Sequence, residues 1–163
     1  GRRALVLGAG GAARSVVSSI VSLGASAIGV VSRTEKHAAD VAALAARAAA
    51  RPAAGRVKLS HAALADEPAA RGGGPWDLLV RALATDTIAE EEDLWWRSLA
   101  PSAPVRDLNY AERARETRAR AAAYGRRFED GISLLLHQGA ASFEFWTRAR
   151  APLAAMKAAL GAA

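Results

Sequence analysis

The sequence predicts an α/β domain, a doubly wound and mostly parallel sheet of about six strands with helices on both faces. Three observations predict it. Apolar runs of strand length alternate with longer stretches at helical spacing, the pattern of successive βαβ units. The first run ends in a cluster of glycines that opens a helix. The 163 residues, 52% hydrophobic and 23% charged, suit one domain with a buried core.

Each element has its own signal. Ala4-Leu5-Val6-Leu7 is a short strand. Gly11 to Leu23 reads as a helix, with Val16, Val17, Ile20 and Leu23 on one face. Ile28 to Val31 is a second strand, and Glu35 to Ala50 an Ala-rich helix. Val57 to Leu59 is a weaker third strand, Ala62 to Ala70 a short helix, and Gly72-Gly73-Gly74-Pro75 a loop. Trp76 to Val80 is a fourth strand, because Leu78-Leu79-Val80 is a buried-type run. Glu90 to Leu99 is helical, Val105 to Leu108 a fifth strand, and Arg113 to Tyr124 a helix that Gly125 ends. Arg127 to Glu129 is a short sixth strand. Ile132 to Trp146 and Pro152 to Leu160 are the last helices, the second with proline in its first turn. The expected strand order is 3-2-1-4-5-6, with right-handed crossovers.

Composition excludes several function classes. With no cysteine there is no disulfide scaffold, thiolate metal site or cysteine nucleophile. No apolar run reaches the roughly 18 residues of a membrane span and no signal-peptide pattern opens the chain. A soluble, cytoplasmic protein is expected. The chain opens on Gly1 with a strand close behind, which reads as a piece of a longer polypeptide. The net charge of +6 comes from arginines scattered among alanines, such as Arg113, Arg115, Arg118 and Arg120. They read as a basic solvated face, and no nucleic-acid partner is expected. His61 and His137 lack metal-ligand spacing, so no metal is expected. The run Glu90-Glu91-Glu92-Asp93 reads as a solvated helix N-terminus, and Trp95 and Trp96 as core or interdomain contacts.

The strongest local signal is Gly8-Ala9-Gly10-Gly11-Ala12-Ala13, which fits G-x-G-x-x-G/A between a strand and a helix. That is the context of a Rossmann-like dinucleotide site. Gly8 permits the tight turn. Gly10 lets a pyrophosphate approach the backbone, and Ala13 lets helix and strand pack closely. The helix N-terminus offers free N–H groups and partial positive charge to phosphates.

An NAD-binding domain usually ends its second strand on an acidic residue that binds the ribose 2′-hydroxyl. Here Ser32-Arg33-Thr34 stands in that place, followed by Lys36 and His37. A guanidinium donates two parallel hydrogen bonds to a 2′-phosphate that a carboxylate would repel. The expected cofactor is therefore NADP.

Three separated segments resemble the shikimate dehydrogenase family. Gly8 to Ala13 with Ser32-Arg33-Thr34 is similar to its G-A-G-G-A and N-R-T-x-x-[RK] pair. Asp107-Leu108-Asn109-Tyr110, with Thr117 later, resembles its D-x-x-Y segment. Asp130-Gly131, Gln138-Gly139-Ala140, Phe143 and Trp146 resemble its D-G-x-x-x-L-x-x-Q-[GA]-A-x-x-F-x-x-W. The resemblance implies a two-domain enzyme that reversibly reduces 3-dehydroshikimate to shikimate with NADPH. It implies that residues 1–163 are the NADP-binding domain. The catalytic Lys and Asp would belong to an N-terminal substrate domain, so no catalytic residue is expected in this chain. Gly8, Ala9, Gly10, Gly11 and Ala12 would hold the pyrophosphate. Ser32, Arg33, Thr34, Lys36 and His37 would hold the 2′-phosphate end. Leu108 and the backbone at Gly131 would face the nicotinamide. Tyr110 and Gln138 would hydrogen-bond a small-molecule substrate shared with the other domain.

The chain also departs from the family pattern. Ser32 stands for Asn, and His37 for Arg or Lys. Arg81-Ala82-Leu83 stands for N-A-[TS], which removes two polar groups from the cofactor side and introduces an arginine. Ala111 and Glu112 occupy the place of the proline after D-x-x-Y, and Thr117 comes two positions late. Two readings of different class stay open: the cofactor half of a dehydrogenase, or a noncatalytic NADP-binding module. A related NADP domain, as in quinate dehydrogenase or glutamyl-tRNA reductase, is the third.

Overall fold

Arg3–Leu7 forms β1, four of whose five residues are buried, and the sheet grows from it in both directions. The structure is a computed structural model, and it describes residues 2–50, 57–66 and 75–161. After β1 come α1 (Gly11–Ser22), β2 (Ala27–Ser32), α2 (Glu35–Ala49), β3 (Lys58–Ala63), β4 (Leu78–Arg81), α3 (Glu92–Arg97) and β5 (Val105–Asp107). A 3-10 turn (Ala111–Ala114) leads into α4 (Arg115–Ala123), followed by β6 (Phe128–Glu129), α5 (Ile132–Thr147) and α6 (Leu153–Ala159). The six strands lie in the order β3-β2-β1-β4-β5-β6. Every pairing is parallel, with Leu7 beside both Val31 and Arg81, and Arg81 beside Asp107. This is the Rossmann-like order that the sequence predicts.

Alternation along the strands builds one core on each face. Ala4 and Val6 join Ala13, Val17 and Ile20 of α1 and Ala38, Val41 and Ala45 of α2. Leu5 and Leu7 point the other way, toward Trp76, Trp95, Trp96 and Ala121. Trp76 packs over Gly29, where a Cβ would come within 2.7 Å of the indole. The tryptophans at 95 and 96 are core residues, 1% and 0% exposed.

Several elements differ from expectation. Leu23 follows the end of α1 and is 85% exposed, and Val21 takes the buried place instead. The expected helix over 62–70 is absent where it is described: β3 continues to Ala63, which donates its N–H to Asp66 at 2.8 Å. Residues 67–74, including Gly72 to Gly74 of the expected loop, lie outside the described residues. Trp76 makes an isolated parallel bridge with Leu99, and β4 starts at Leu78. Pro152 is the N-cap of α6 rather than part of its first turn. Gly125 takes φ +63° past the end of α4, the left-handed stop that was expected. Among the described residues no helix is long and apolar enough to cross a membrane.

Candidate functional site

Apart from Gln138, which is the seventh residue of α5, the sequence-predicted site residues lie at or just after the carboxyl ends of β1, β2, β5 and β6, which parallel topology sets along one edge of the sheet. The loop after β1 starts with Gly8 at φ +123°, whose N–H bonds the Val31 carbonyl at 2.7 Å. Any Cβ there would collide with the carbonyl of Ala82, the residue after β4. Glycine is required twice, by the backbone angle and by the close approach. Gly10 is the N-cap of α1; no side chain caps it, and no acidic residue lies in the first turn. A Cβ at Gly10 or Gly11 would meet nothing within 4 Å. The first turn thus has no side-chain cap and open space beside Gly10 and Gly11, both of which a phosphate cradle requires. Ala13, fully buried, lets α1 sit close on the sheet.

At the end of β2, Ser32 is buried and its hydroxyl donates to the Thr34 carbonyl at 2.7 Å. It shapes the turn. Arg33, Thr34, Lys36 and His37 are exposed. Thr34 Oγ1 and His37 Nδ1 lie 2.9 Å apart, so His37 is tied to the turn. The acidic group of this turn, Glu35, faces β3, with its carboxylate 3.4 Å from His61 Nδ1.

The β4 to β6 edge is built around a charge cluster. Arg81 is fully buried and donates to Glu92, Asp107 and the carbonyls of Thr85 and Thr87. Asp107 also accepts the Thr117 hydroxyl at 2.5 Å and the Asn109 N–H at 2.9 Å. The arginine expected on the cofactor side thus points into the core, because the carboxylates that neutralise it lie there. The acidic run is solvated only in part: Glu92 is 1% exposed. Asp93 bonds Arg97 and Tyr124, which hold its carboxyl below the usual carboxylate range. At the end of β6, Asp130 accepts the Ile132 N–H at 3.1 Å and pairs with Arg118 at 3.0 Å. Gly131 donates to the Asn109 carbonyl at 2.9 Å, and a Cβ on it would strike the Leu108 carbonyl. Leu108 and Gly131 are thereby brought together.

Residues 131–160 match the model of the shikimate 5′-dehydrogenase C-terminal domain. Over 144 residues the chain is 40% identical to a shikimate dehydrogenase (NADP(+)) of Rhodospirillum rubrum, which covers 88% of this chain and 48% of that one. A shikimate dehydrogenase (NADP(+)) of Moorella thermoacetica is 35% identical, over 96% of this chain and 52% of that one. The chain belongs to the shikimate dehydrogenase family. It spans about half the length of the curated relatives it matches. The crystal structure of Mycobacterium tuberculosis shikimate dehydrogenase superimposes on all of this chain and 57% of its own, with a TM-score of 0.67 and 29% identity.

The family's D-G dipeptide has a local reason here: Asp130 starts α5 and Gly131 admits Leu108. Tyr110 is 45% exposed, and Gln138 is exposed on α5. Gly139 beside it receives Met156 of α6, whose Cε would be 3.2 Å from an added Cβ. Sequence reading missed Arg81, Glu92 and Asn109 as builders of this edge. The available signal was charge at the ends of two buried, neighbouring strands, Arg81 and Asp107. A cavity of about 600 Å³ lies at the opposite, amino edge among Ile20, Leu78, Val105 and Phe128. It holds none of these groups and is remote from the glycine loop. Among the described residues no cluster of His, Asp and Glu could hold a metal.

Proposed function

We propose that this chain is the NADP(H)-binding half of a shikimate dehydrogenase, which reversibly reduces 3-dehydroshikimate to shikimate. One observation carries the cofactor choice. The turn after β2 presents Arg33, Thr34 and Lys36 to solvent, the carboxylate of Glu35 lies toward β3, 3.4 Å from His61 Nδ1, and the turn lies beside a glycine-opened helix with no side-chain cap. The names of the relatives, shikimate dehydrogenase (NADP(+)), support the same choice.

The residues present fit a dinucleotide. The uncapped N–H groups of α1 balance the pyrophosphate charge, and Gly10 and Gly11 leave room for it. Arg33 pairs with the 2′-phosphate, while the Thr34 hydroxyl and Lys36 add a donor and a charge. Leu108 and Gly131 flank the nicotinamide end, on the β4 to β6 side of the strand-order reversal. When bound, NADPH supplies the hydride. Tyr110 and Gln138 hydrogen-bond the substrate hydroxyls and so reject analogues that lack them. The proton-relay Lys and Asp belong to an N-terminal substrate domain. On α5, Leu134, Gln138 and Phe145 share a face at i, i+4 and i+11, with Leu134 48% and Phe145 61% exposed. An apolar face around a polar side chain suits a cleft that the other domain covers.

Calorimetric titration of residues 1–163 with NADP+ and NAD+ tests the reading. NADP+ should bind more tightly, and the chain alone should not oxidise shikimate, since one wall of the cleft is missing. Equal affinity for the two cofactors defeats the NADP assignment, and turnover by the chain alone defeats the domain assignment.

A further inference from the structure

Arg81 is a buried arginine whose donors are all used. Nε and Nη2 reach the Glu92 carboxylate at 3.1 and 3.2 Å. Nη1 reaches the Thr85 carbonyl at 2.9 Å and Asp107 at 3.4 Å, and Nη2 reaches the Thr87 carbonyl at 2.5 Å. That is one bond for each of the five guanidinium N–H groups. Two of the five acceptors are main-chain carbonyls in residues 82–89, a segment without regular structure between β4 and α3. The same segment is held from outside as well. Asn109 Nδ2 donates to Leu83 and Thr85, and Arg113 to Ala84. Glu116 accepts the Ile88 N–H, and Glu92 accepts that of Ala89. The segment begins at Ala82, whose carbonyl faces Gly8. It therefore stands beside the glycine loop on the β4 side of the sheet, where the nicotinamide half of a dinucleotide lies.

We infer that Arg81 is a positioning residue, fixing residues 82–89 as a preformed wall for the nicotinamide half of the cofactor. The inference rests on the dinucleotide reading above. A segment anchored at four carbonyls and two amides loses little freedom when a ligand arrives, so its contacts count fully toward binding. Lysine could not replace Arg81, because a single ammonium cannot reach two carboxylates and two carbonyls at once.

The test separates the two halves of the cofactor. Residues 1–163 are titrated with NADP+ and with adenosine 2′,5′-bisphosphate, which carries the adenine and 2′-phosphate but no nicotinamide. The double variant Arg81→Met/Glu92→Leu replaces the Arg81–Glu92 pair with apolar groups and leaves Asp107 the Thr117 hydroxyl and the Asn109 N–H as donors. Its affinity for the bisphosphate should be unchanged, which also shows that it folds. Its affinity for NADP+ should fall roughly tenfold, within the range for coupling between adjoining sites. Amide exchange at Thr87, Ile88 and Ala89 should quicken. If the double variant does not fold, Glu92→Gln keeps the volume and should show the same asymmetry at smaller size. An unchanged NADP+ affinity, or equal losses for both ligands, overturns the inference about Arg81 alone. A wild-type chain that binds neither ligand overturns the dinucleotide reading, and this inference with it.

Discussion

On one face of the sheet, α1 and α2 pack through Ala13, Val17, Val41 and Ala45, none of which exposes any surface. At the carboxyl ends of β4 and β5 the same depth of burial holds Arg81, Glu92, Asp107 and Thr117. The first region is held by non-directional burial of small aliphatic groups. The second is held by named partners drawn from four separate segments. The first tolerates any residue of similar size and polarity. In the second, losing one partner leaves a charge buried without compensation.

The largest expected effect follows from that difference. Arg81→Ala should destabilise the domain by about 3–5 kcal/mol, the range for breaking a buried pair. Val41→Ala removes only about two methyl-sized groups from the apolar face and should cost about 1.5–2 kcal/mol. Urea unfolding of both variants measures it. Equal losses would break the comparison, because the charge cluster would then count as ordinary packing.

The same difference explains what was legible in the sequence. The strand order, the glycine turn and the helix over α5 follow from periodicity and backbone requirements, which are local. Gly8 is readable because φ +123° and the nearness of Ala82 both demand glycine. The cluster is not local: Arg81 meets Glu92 eleven positions on and Asp107 twenty-six positions on. The sequence places Glu92 in a solvated helix N-terminus and Arg81 on the cofactor side, since a charged residue is rarely fully buried unless paired. Leu23 failed for the opposite reason. Its spacing fits the buried face of α1, but the helix ends at Ser22 and leaves it outside. The fit to a dinucleotide was therefore legible on the β1 and β2 side and much less so on the β4 to β6 side.

The next effect sharpens the comparison at the level of ligand. Arg33→Ala, on the adenine side, should weaken NADP+ by about 1.5–3 kcal/mol, the range for hydrogen bonds to charged groups. NAD+ binding should change far less, and stability hardly at all, because Arg33 is exposed. Equal losses for the two cofactors would remove the 2′-phosphate from its role. A smaller effect, of opposite sign, concerns the 3-10 turn after Tyr110. Ala111 holds φ +52°, a left-handed angle that disfavours side chains. Ala111→Gly should raise stability by up to about 1 kcal/mol, less what glycine's freedom in the unfolded chain takes back. A loss instead would mean that the alanine methyl makes contacts worth more than the strain.

The smallest effect lies at the solvent rim of the same charged region and is read through pH. Asp93 on α3 accepts Arg97 Nε at 2.6 Å and the Tyr124 hydroxyl at 2.7 Å, with Arg120 at 3.5 Å. These donors hold its pKa below the ordinary carboxylate value, with the Arg97 hydrogen bond the largest cause. A carboxylate whose pKa falls on folding stabilises the fold above its unfolded pKa, near 4. That contribution disappears as pH falls through the lower, folded value. Asp93→Asn should therefore unfold at lower urea than the wild type at about pH 7 and at about pH 5, by the same margin. The margin should narrow below about pH 4, as the wild type itself protonates. Arg97→Ala, which removes the principal donor, should shrink the pH-dependent part of the margin and leave the Tyr124 bond in place. Urea midpoints for the three proteins across this range decide it. A margin as wide at pH 3 as at pH 7 would show that Asp93 acts through the shape of its hydrogen bonds and not through its charge. The rim would then resemble the apolar face more than the buried cluster it borders.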